Sequence, residues 1–304
     1  MLLSVLAGQI SMRLGAPVLL TFLGVGVLFG EDGPGGIIFN DAGTAYFLCS
    51  IALAIVLFDG GLRTRVTTFR QAFLPAFSLA TVGVVITAAI TGGFATWLMG
   101  VSPTEGMLIG SLVASTDAAA VFLLLHQRGI NLKRHVSATL EVESGINDPM
   151  AIFLTFSCVS ILSANLDADW ISITAHFVKE MGLGLAMGYT GGAALAQLLR
   201  LIRLDPGLYP VVVLIGGLVI FAGTNLVGGS GFLAAYVSGI VFASWKLHKL
   251  MLVKQFNDGM AWIAQLVMLL TLGLFVTPTK LIEHIEPAIL TAICLIAVAR
   301  PVAV

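Results

Sequence analysis

Apolar runs long enough to cross a bilayer recur along the whole chain, separated by short polar breaks. A partial first helix at 1–13 is followed by spans near 16–30, 44–61, 73–99, 105–126, 137–163, 173–199, 208–225, 229–245, 258–277 and 285–304. The pattern predicts an all-α polytopic protein with ten full spans. Charge in the breaks alternates in step with these spans. Arg13 follows the first run, Arg63, Arg65 and Arg70 the third, and Arg128, Lys133 and Arg134 the fifth. Arg200 and Arg203 follow the seventh, and Lys246, Lys249 and Lys254 follow the ninth. The intervening breaks hold acids or no charge, Lys280 excepted. This is the positive-inside pattern, and it supports the span count independently of hydropathy. The N-terminus then faces outward, and the sixth, eighth and tenth runs go from cytoplasm to outside.

Composition agrees. The 304 residues are 58% hydrophobic and 10% charged, against about 25% charged in a soluble domain. The net charge of -1 carries no information about partners, because the charges are segregated along the chain. No basic patch suggests nucleic acid. Cys49, Cys158 and Cys294 lie in apolar runs and read as packed thiols, not a disulfide framework or metal site. No basic n-region or cleavage site marks a secretory signal. The first run is too short to span and the last is still apolar where the chain stops, so we read a piece of a longer protein at both ends.

One stretch breaks the apolar pattern most sharply. Glu141-Val-Glu-Ser-Gly-Ile-Asn-Asp-Pro149 places three acids, an asparagine and a helix-breaking proline inside the sixth span. An ionisable residue there costs about 2.5–3.5 kcal/mol by insertion scales, so such residues are rarely kept without use. Counting from the cytoplasmic end, Asp148 lies about 16 Å deep, near the midplane of a core about 30 Å thick. Asp117, on a run entering from outside, reaches about the same level, 18 Å deep. Glu143 lies about 9 Å from the cytoplasmic side, the level that Arg300 also reaches, which makes Glu143 and Arg300 a natural buried ion pair.

These residues point to ion chemistry. Pro149 removes an N–H and is expected to leave a carbonyl near Gly145 able to turn toward an ion. Ser144 shares a face with Asp148, and a carboxylate, a hydroxyl and a carbonyl are hard oxygen ligands suited to small cations. Ser115-Thr116-Asp117 interrupts the fifth run, where a helix can unwind and offer backbone groups to a substrate. Asn147 carries no proton, leaving Asp148 as one titrating carboxylate at this step, so exchange of one cation for one proton is electroneutral. The structural alternatives are that Asp148 caps a kink or pairs with a neighbouring helix, and that Ser115 and Thr116 bond back to their own helix. Glu141 sits nearer the cytoplasmic end. Asp59, beside Gly60-Gly61, falls at a helix end and reads as interfacial. Glu31, Asp32, Asp41, Glu283 and Glu286 form an acidic outer rim, best read as solvated. The five histidines lie at or near loops, and none is taken as a ligand. The alternative function is an intramembrane aspartyl protease using Asp117 and Asp148, but its Tyr-Asp and Gly-x-Gly-Asp motifs are missing. A channel is disfavoured by the lack of a recognisable filter sequence.

Ala114-Ser-Thr-Asp-Ala-Ala-Ala-Val-Phe122, Leu140-Glu-Val-Glu-Ser-Gly-Ile-Asn-Asp-Pro-Met-Ala151 and Leu57-Phe-Asp-Gly-Gly-Leu-Arg63 resemble the cation:proton antiporter-1 family. Within it they resemble the bacterial NhaP-type subgroup called cell volume regulation protein A, potassium/proton antiporters. The likeness runs the whole length, 1–304, including Gly30-Glu-Asp-Gly-Pro-Gly-Gly36 and Phe256-Asn-Asp-Gly-Met-Ala-Trp262. It implies an inverted-repeat, NhaA-like fold with discontinuous helices and a core domain moving against a dimerisation domain, here with an incomplete second repeat. It implies that Asp148 binds the ion and the proton, with Asp117, Thr116, Ser144 and Asn147 nearby. It implies a structural ion pair of Glu143 with Arg300. The expected protein is a secondary transporter of K+ or Na+ against H+, not an enzyme. It needs no cofactor, is a homodimer and lies in the bacterial inner membrane. The family's later helices and a C-terminal cytosolic regulatory region lie beyond position 304 in this comparison.

Overall fold

The computed structural model describes residues 18–64, 66–116, 121, 125, 132–164, 170–202, 204–245 and 249–304. The partial first helix at 1–13 and Asp117 lie outside the described residues. The described chain is helical: α1 Val18–Phe29, α2 Ala42–Arg63, α3 Val66–Ser78, α4 Val84–Met99, α5 Pro103–Ala114 and α6 Arg134–Ala164. There follow α7 Trp170–Leu201, α8 Leu208–Leu226, α9 Gly231–Ser244, α10 Leu250–Phe275, α11 Pro278–Glu283, α12 Ile285–Cys294 and α13 Arg300–Ala303. Wide π-turns at Leu79–Gly83 and Leu295–Ala299 join α3 to α4 and α12 to α13, giving two longer rods. Among the described residues six helical stretches are long and apolar enough to span a membrane.

The predicted spans coincide with these helices to within a few residues, with three informative differences. The span expected at 73–99 begins at Val66. The span expected at 258–277 begins at Leu250, because the polar stretch Lys254 to Asp258 stays helical. Val253, Asn257, Ala261 and Ala264 bury one face of α10 there, so tertiary packing overrides the drop in hydropathy. The described helix within the span expected at 105–126 stops at Ala114.

The chain divides into two compact units. The first takes in the chain to Arg63, Met187–Gly223 and Ala234–Glu283. In it α1 and α2 both pack on α10. Ala52 and Ile55 meet Ala261 and Ala264, and the Phe22 ring stands edge-on to Trp262 at 5.5 Å. Small residues set the spacing: Gly61 lies so close to the Tyr236 carbonyl that a Cβ has no room.

The second unit comprises Thr64–Ala186, Thr224–Leu233 and His284–Val304. In it α5 lies against α4, and both α3 and α5 lie against α6. Val84, Ala88, Ala114, Met150 and Ala151 form its core. Gly110 presses on the Ala88 carbonyl with no space for a side chain, which holds α5 close to α4.

Candidate ion-binding site

The site is built where α5 stops. Its start is firmly set by a capping box: the Ser102 hydroxyl accepts from the Glu105 N–H at 3.3 Å, and Glu105 accepts from the Ser102 N–H at 2.8 Å. Its end is abrupt. Ser115 adopts an extended backbone with φ -71° and ψ 150°, so the last carbonyls of α5 lose their intrahelical donors. Arg300 Nη2 replaces one by donating to the Ala114 carbonyl at 2.5 Å. A cation at a helix C-terminus also complements the helix dipole.

The polar face of α6 meets this broken end. Glu143, Ser144, Asn147 and Asp148 are spaced so that they share one side of a helix. Asn147, fully buried, donates from Nδ2 to Thr116 Oγ1 at 2.6 Å and to the Thr116 carbonyl at 3.3 Å. The Ser144 hydroxyl donates to the same carbonyl at 3.0 Å. Thr116 Oγ1 donates to Glu143 at 3.2 Å. The Ser115 hydroxyl donates to Asp148 Oδ1 and lies 3.4 Å from Asn147 Oδ1. One turn earlier on α5, Ser111 and Thr155 hydroxyls meet at 3.2 Å.

Four of the five residues proposed around the ion, namely Asp148, Asn147, Ser144 and Thr116, are therefore brought together; the fifth, Asp117, is outside the described residues. One expectation about how they act needs correction. α6 runs unbroken through Pro149 from Arg134 to Ala164, so the polar segment is presented by a continuous helix and the backbone opens in α5 instead. The Thr116 carbonyl, exposed by that opening, already accepts from both Ser144 and Asn147. Glu143 and Arg300 both reach the broken end, Glu143 accepting from Thr116 Oγ1 and Arg300 donating to the Ala114 carbonyl, and the two charges interact electrostatically. Ser115 is not among the site residues expected from the sequence. Its signal was present in the polar triplet Ser115-Thr116-Asp117, but spacing alone does not say which hydroxyl faces Asp148.

Other predicted residues fall elsewhere. Glu141 is half-buried on α6. Asp59, in the last turn of α2, is buried, and Arg63 Nε donates to it at 2.6 Å while Arg63 Nη2 reaches Asp258 of α10. Of the outer rim, Asp41 caps the start of α2, accepting from the N–H groups of Gly43 and Thr44. The Thr44 hydroxyl, then the Thr44 N–H, hold its carboxyl below the usual carboxylate range. Asp32 accepts from the Thr279 N–H at 3.1 Å. His176 sits 3.8 Å from Glu180, and His135 and His284 are exposed.

Chemically, the site offers a carboxylate, hydroxyls and an amide oxygen, all hard ligands. No group of three His, Cys, Asp or Glu side chains able to hold a metal occurs among the described residues. The donor set fits a weakly held, exchangeable cation better than a resident transition metal.

Comparison with known proteins agrees with this architecture. The chain is 49% identical over 303 residues to the "K(+)/H(+) antiporter NhaP2" of Shewanella baltica (strain OS223), covering 99% of this chain and 52% of that protein. It is 44% identical over 303 residues to the "K(+)/H(+) antiporter NhaP" of Alkalimonas amylolytica, covering 100% of this chain and 53% of that protein. The chain thus spans about half the length of the curated relatives it matches. Its fold matches the structure of the sodium proton antiporter MjNhaP1 from Methanocaldococcus jannaschii at pH 8 with a TM-score of 0.86 and 21% identity, over 100% of this chain and 75% of that one. Nothing in these comparisons supports the protease reading. With the family model "Sodium/hydrogen exchanger, transmembrane" matching residues 1–304, the chain belongs to the sodium/hydrogen exchanger family.

Proposed function

We propose that the protein is a secondary transporter that exchanges a monovalent cation for a proton, with Asp148 holding one or the other in turn. The observation that carries this reading is the meeting of Asp148 with the broken end of α5, through the Ser115 hydroxyl. A carboxylate at mid-membrane depth is costly as a bare charge. Either a proton or a cation removes that cost, and a bound cation disfavours the proton. Competition between the two species then follows from one group. Asn147 is held by its two bonds to Thr116 as a neutral donor, which leaves one carboxylate to titrate at this step and makes exchange electroneutral. Asp117, Thr116 and Ser144 complete the ion's surroundings, and the Glu143 and Arg300 charges brace the broken helix.

Potassium is the favoured cation, because the relatives at 44% and 49% identity carry potassium in their names, whereas the sodium-named structure is 21% identical. Sodium and lithium remain the alternatives to be tested beside it. The working form is a homodimer in the bacterial inner membrane, as the family resemblance implies, where exchange contributes to cation, pH and cell-volume homeostasis. The test is exchange in vesicles bearing an imposed proton gradient. Adding potassium collapses the gradient with the unaltered protein and fails to do so with Asp148→Asn. Undiminished exchange by that variant refutes the assignment, and a panel of potassium, sodium, lithium and rubidium ranks the cations.

A further inference from the structure

We propose that Asp59 Oδ1 and Asn257 Oδ1 hold a buried water molecule between them, where α2 and α10 meet in the first unit. The register of the two helices brings these residues to one level. Ala52 and Ile55 of α2 meet Ala261 and Ala264 of α10. Arg63, the last residue of α2, reaches Asp258, near the start of α10. The helices therefore run in opposite directions. One turn on from Ile55 lies Asp59, and one turn back from Ala261 lies Asn257. Both are buried, with 4% and 0% exposure. Each has one oxygen with no hydrogen-bond partner among the described residues, Asp59 Oδ1 and Asn257 Oδ1. The rest of each side chain is engaged. Arg63 Nε donates to Asp59 Oδ2 at 2.6 Å. Asn257 Nδ2 donates to the Val253 carbonyl of its own helix at 2.9 Å, which turns Oδ1 away from that carbonyl.

Two buried acceptors at one level need a donor. A metal cation does not fit. Hard cations call for about six oxygen ligands, and one more positive charge would unbalance a cluster in which Asp59 and Asp258 already answer Arg63 and Lys254. A proton on Asp59 would strand the Arg63 charge. A water molecule is neutral and donates twice, one hydrogen to each oxygen, and buried waters characteristically serve polar groups that the protein leaves unpaired. The site also gives a reason for an amide on a face of α10 that is otherwise lined by Val253, Ala261 and Ala264. It joins segments 57–63 and 256–262, two of the motifs that stand out in the sequence, by a bridge separate from the exposed contact of Arg63 with Asp258.

The proposal does not depend on the transport reading, and its test needs no transport. Density maps of the purified protein, at a resolution that shows ordered water, are recorded in potassium, rubidium and N-methylglucamine buffers. One peak is expected about 2.8 Å from both oxygens, with the same height in all three buffers. Asn257→Leu removes one acceptor and is expected to lose the peak. If that variant fails to fold, the three maps of the unaltered protein decide. Four results would each overturn the site: no peak there, a peak that strengthens in rubidium or vanishes without metal cations, two oxygens close enough to share a proton directly, or a peak kept in folded Asn257→Leu.

Discussion

Asp59 on α2 and Asp148 on α6 are both carboxylates carried by helices long enough to span a bilayer, yet their surroundings differ in kind. Asp59 sits in an unbroken helix and is gripped by Arg63 one turn later, which also reaches Asp258 on α10. Asp148 faces the end of a broken helix and receives the Ser115 hydroxyl. Arg300, in the same unit, donates to the Ala114 backbone carbonyl. An acid tied to an arginine is a fixed charge, since protonating it strands the partner. A hydroxyl, unlike an arginine, brings no charge of its own to the carboxylate. The comparison separates a carboxylate that ties two helices together from the one to which exchange is assigned in the proposed function.

The largest effect is expected where the broken end is tied to α6. Asn147 is fully buried and holds two atoms of Thr116. Asn147→Ala opens a cavity and leaves a buried acceptor short of donors, a loss of about 3 kcal/mol. Exchange falls with it, because Thr116 and Ser115 are no longer fixed beside Asp148. Unfolding in detergent measures the first and vesicle exchange the second. A variant within experimental error of the parent on both would mean that the break in α5 is held by something else.

The Asp59 side of the comparison gives a somewhat smaller effect. Removing one partner of a buried pair costs about 3–5 kcal/mol, but the Arg63 side chain is 52% exposed, so solvent screening reduces Arg63→Met to about 2 kcal/mol. Adding Asp59→Asn to that variant is expected to recover most of the loss, because it removes the stranded charge. If the second substitution makes matters worse, the pair is not what fixes Asp59.

How far these two regions were legible in the sequence follows from which interactions are local. Helix positions, the polar break at Ser115 and the level of Asp148 all come from runs and spacings along one segment. The grip of Arg63 on Asp258 does not: it joins residues 195 apart, and hydropathy read Lys254 to Asp258 as a break, not as part of α10. Depth along the chain brings Glu143 and Arg300 to one level, and their charges do interact, but depth does not reveal the hydrogen-bond partner of each. Arg300 donates to an orphaned helix-end carbonyl, that of Ala114. Proline misled in the same way. Pro149 removes a donor from α6, but close packing against α3 and α5 keeps that helix continuous, and the opening occurs in α5, where no proline marks it.

The smallest effect sharpens the comparison most, because it touches the hydroxyl on Asp148 and leaves the scaffold alone. Ser115 is only half-buried and its backbone is already extended, so Ser115→Ala costs little in folding. What it removes is one oxygen beside the carboxylate, worth about 1 kcal/mol. That corresponds to a rise of about fivefold in the cation concentration giving half-maximal exchange, with the maximal rate changed less. Ser115→Thr keeps the hydroxyl, and its β-branched side chain suits an extended backbone, so it should stay near the parent value. If Ala and Thr behave alike, the hydroxyl is not an ion ligand and Ser115 serves only to end the helix. Should both lose exchange outright while remaining folded, the half-saturation argument fails and Ser115 belongs with Asn147 among the residues that hold the break open.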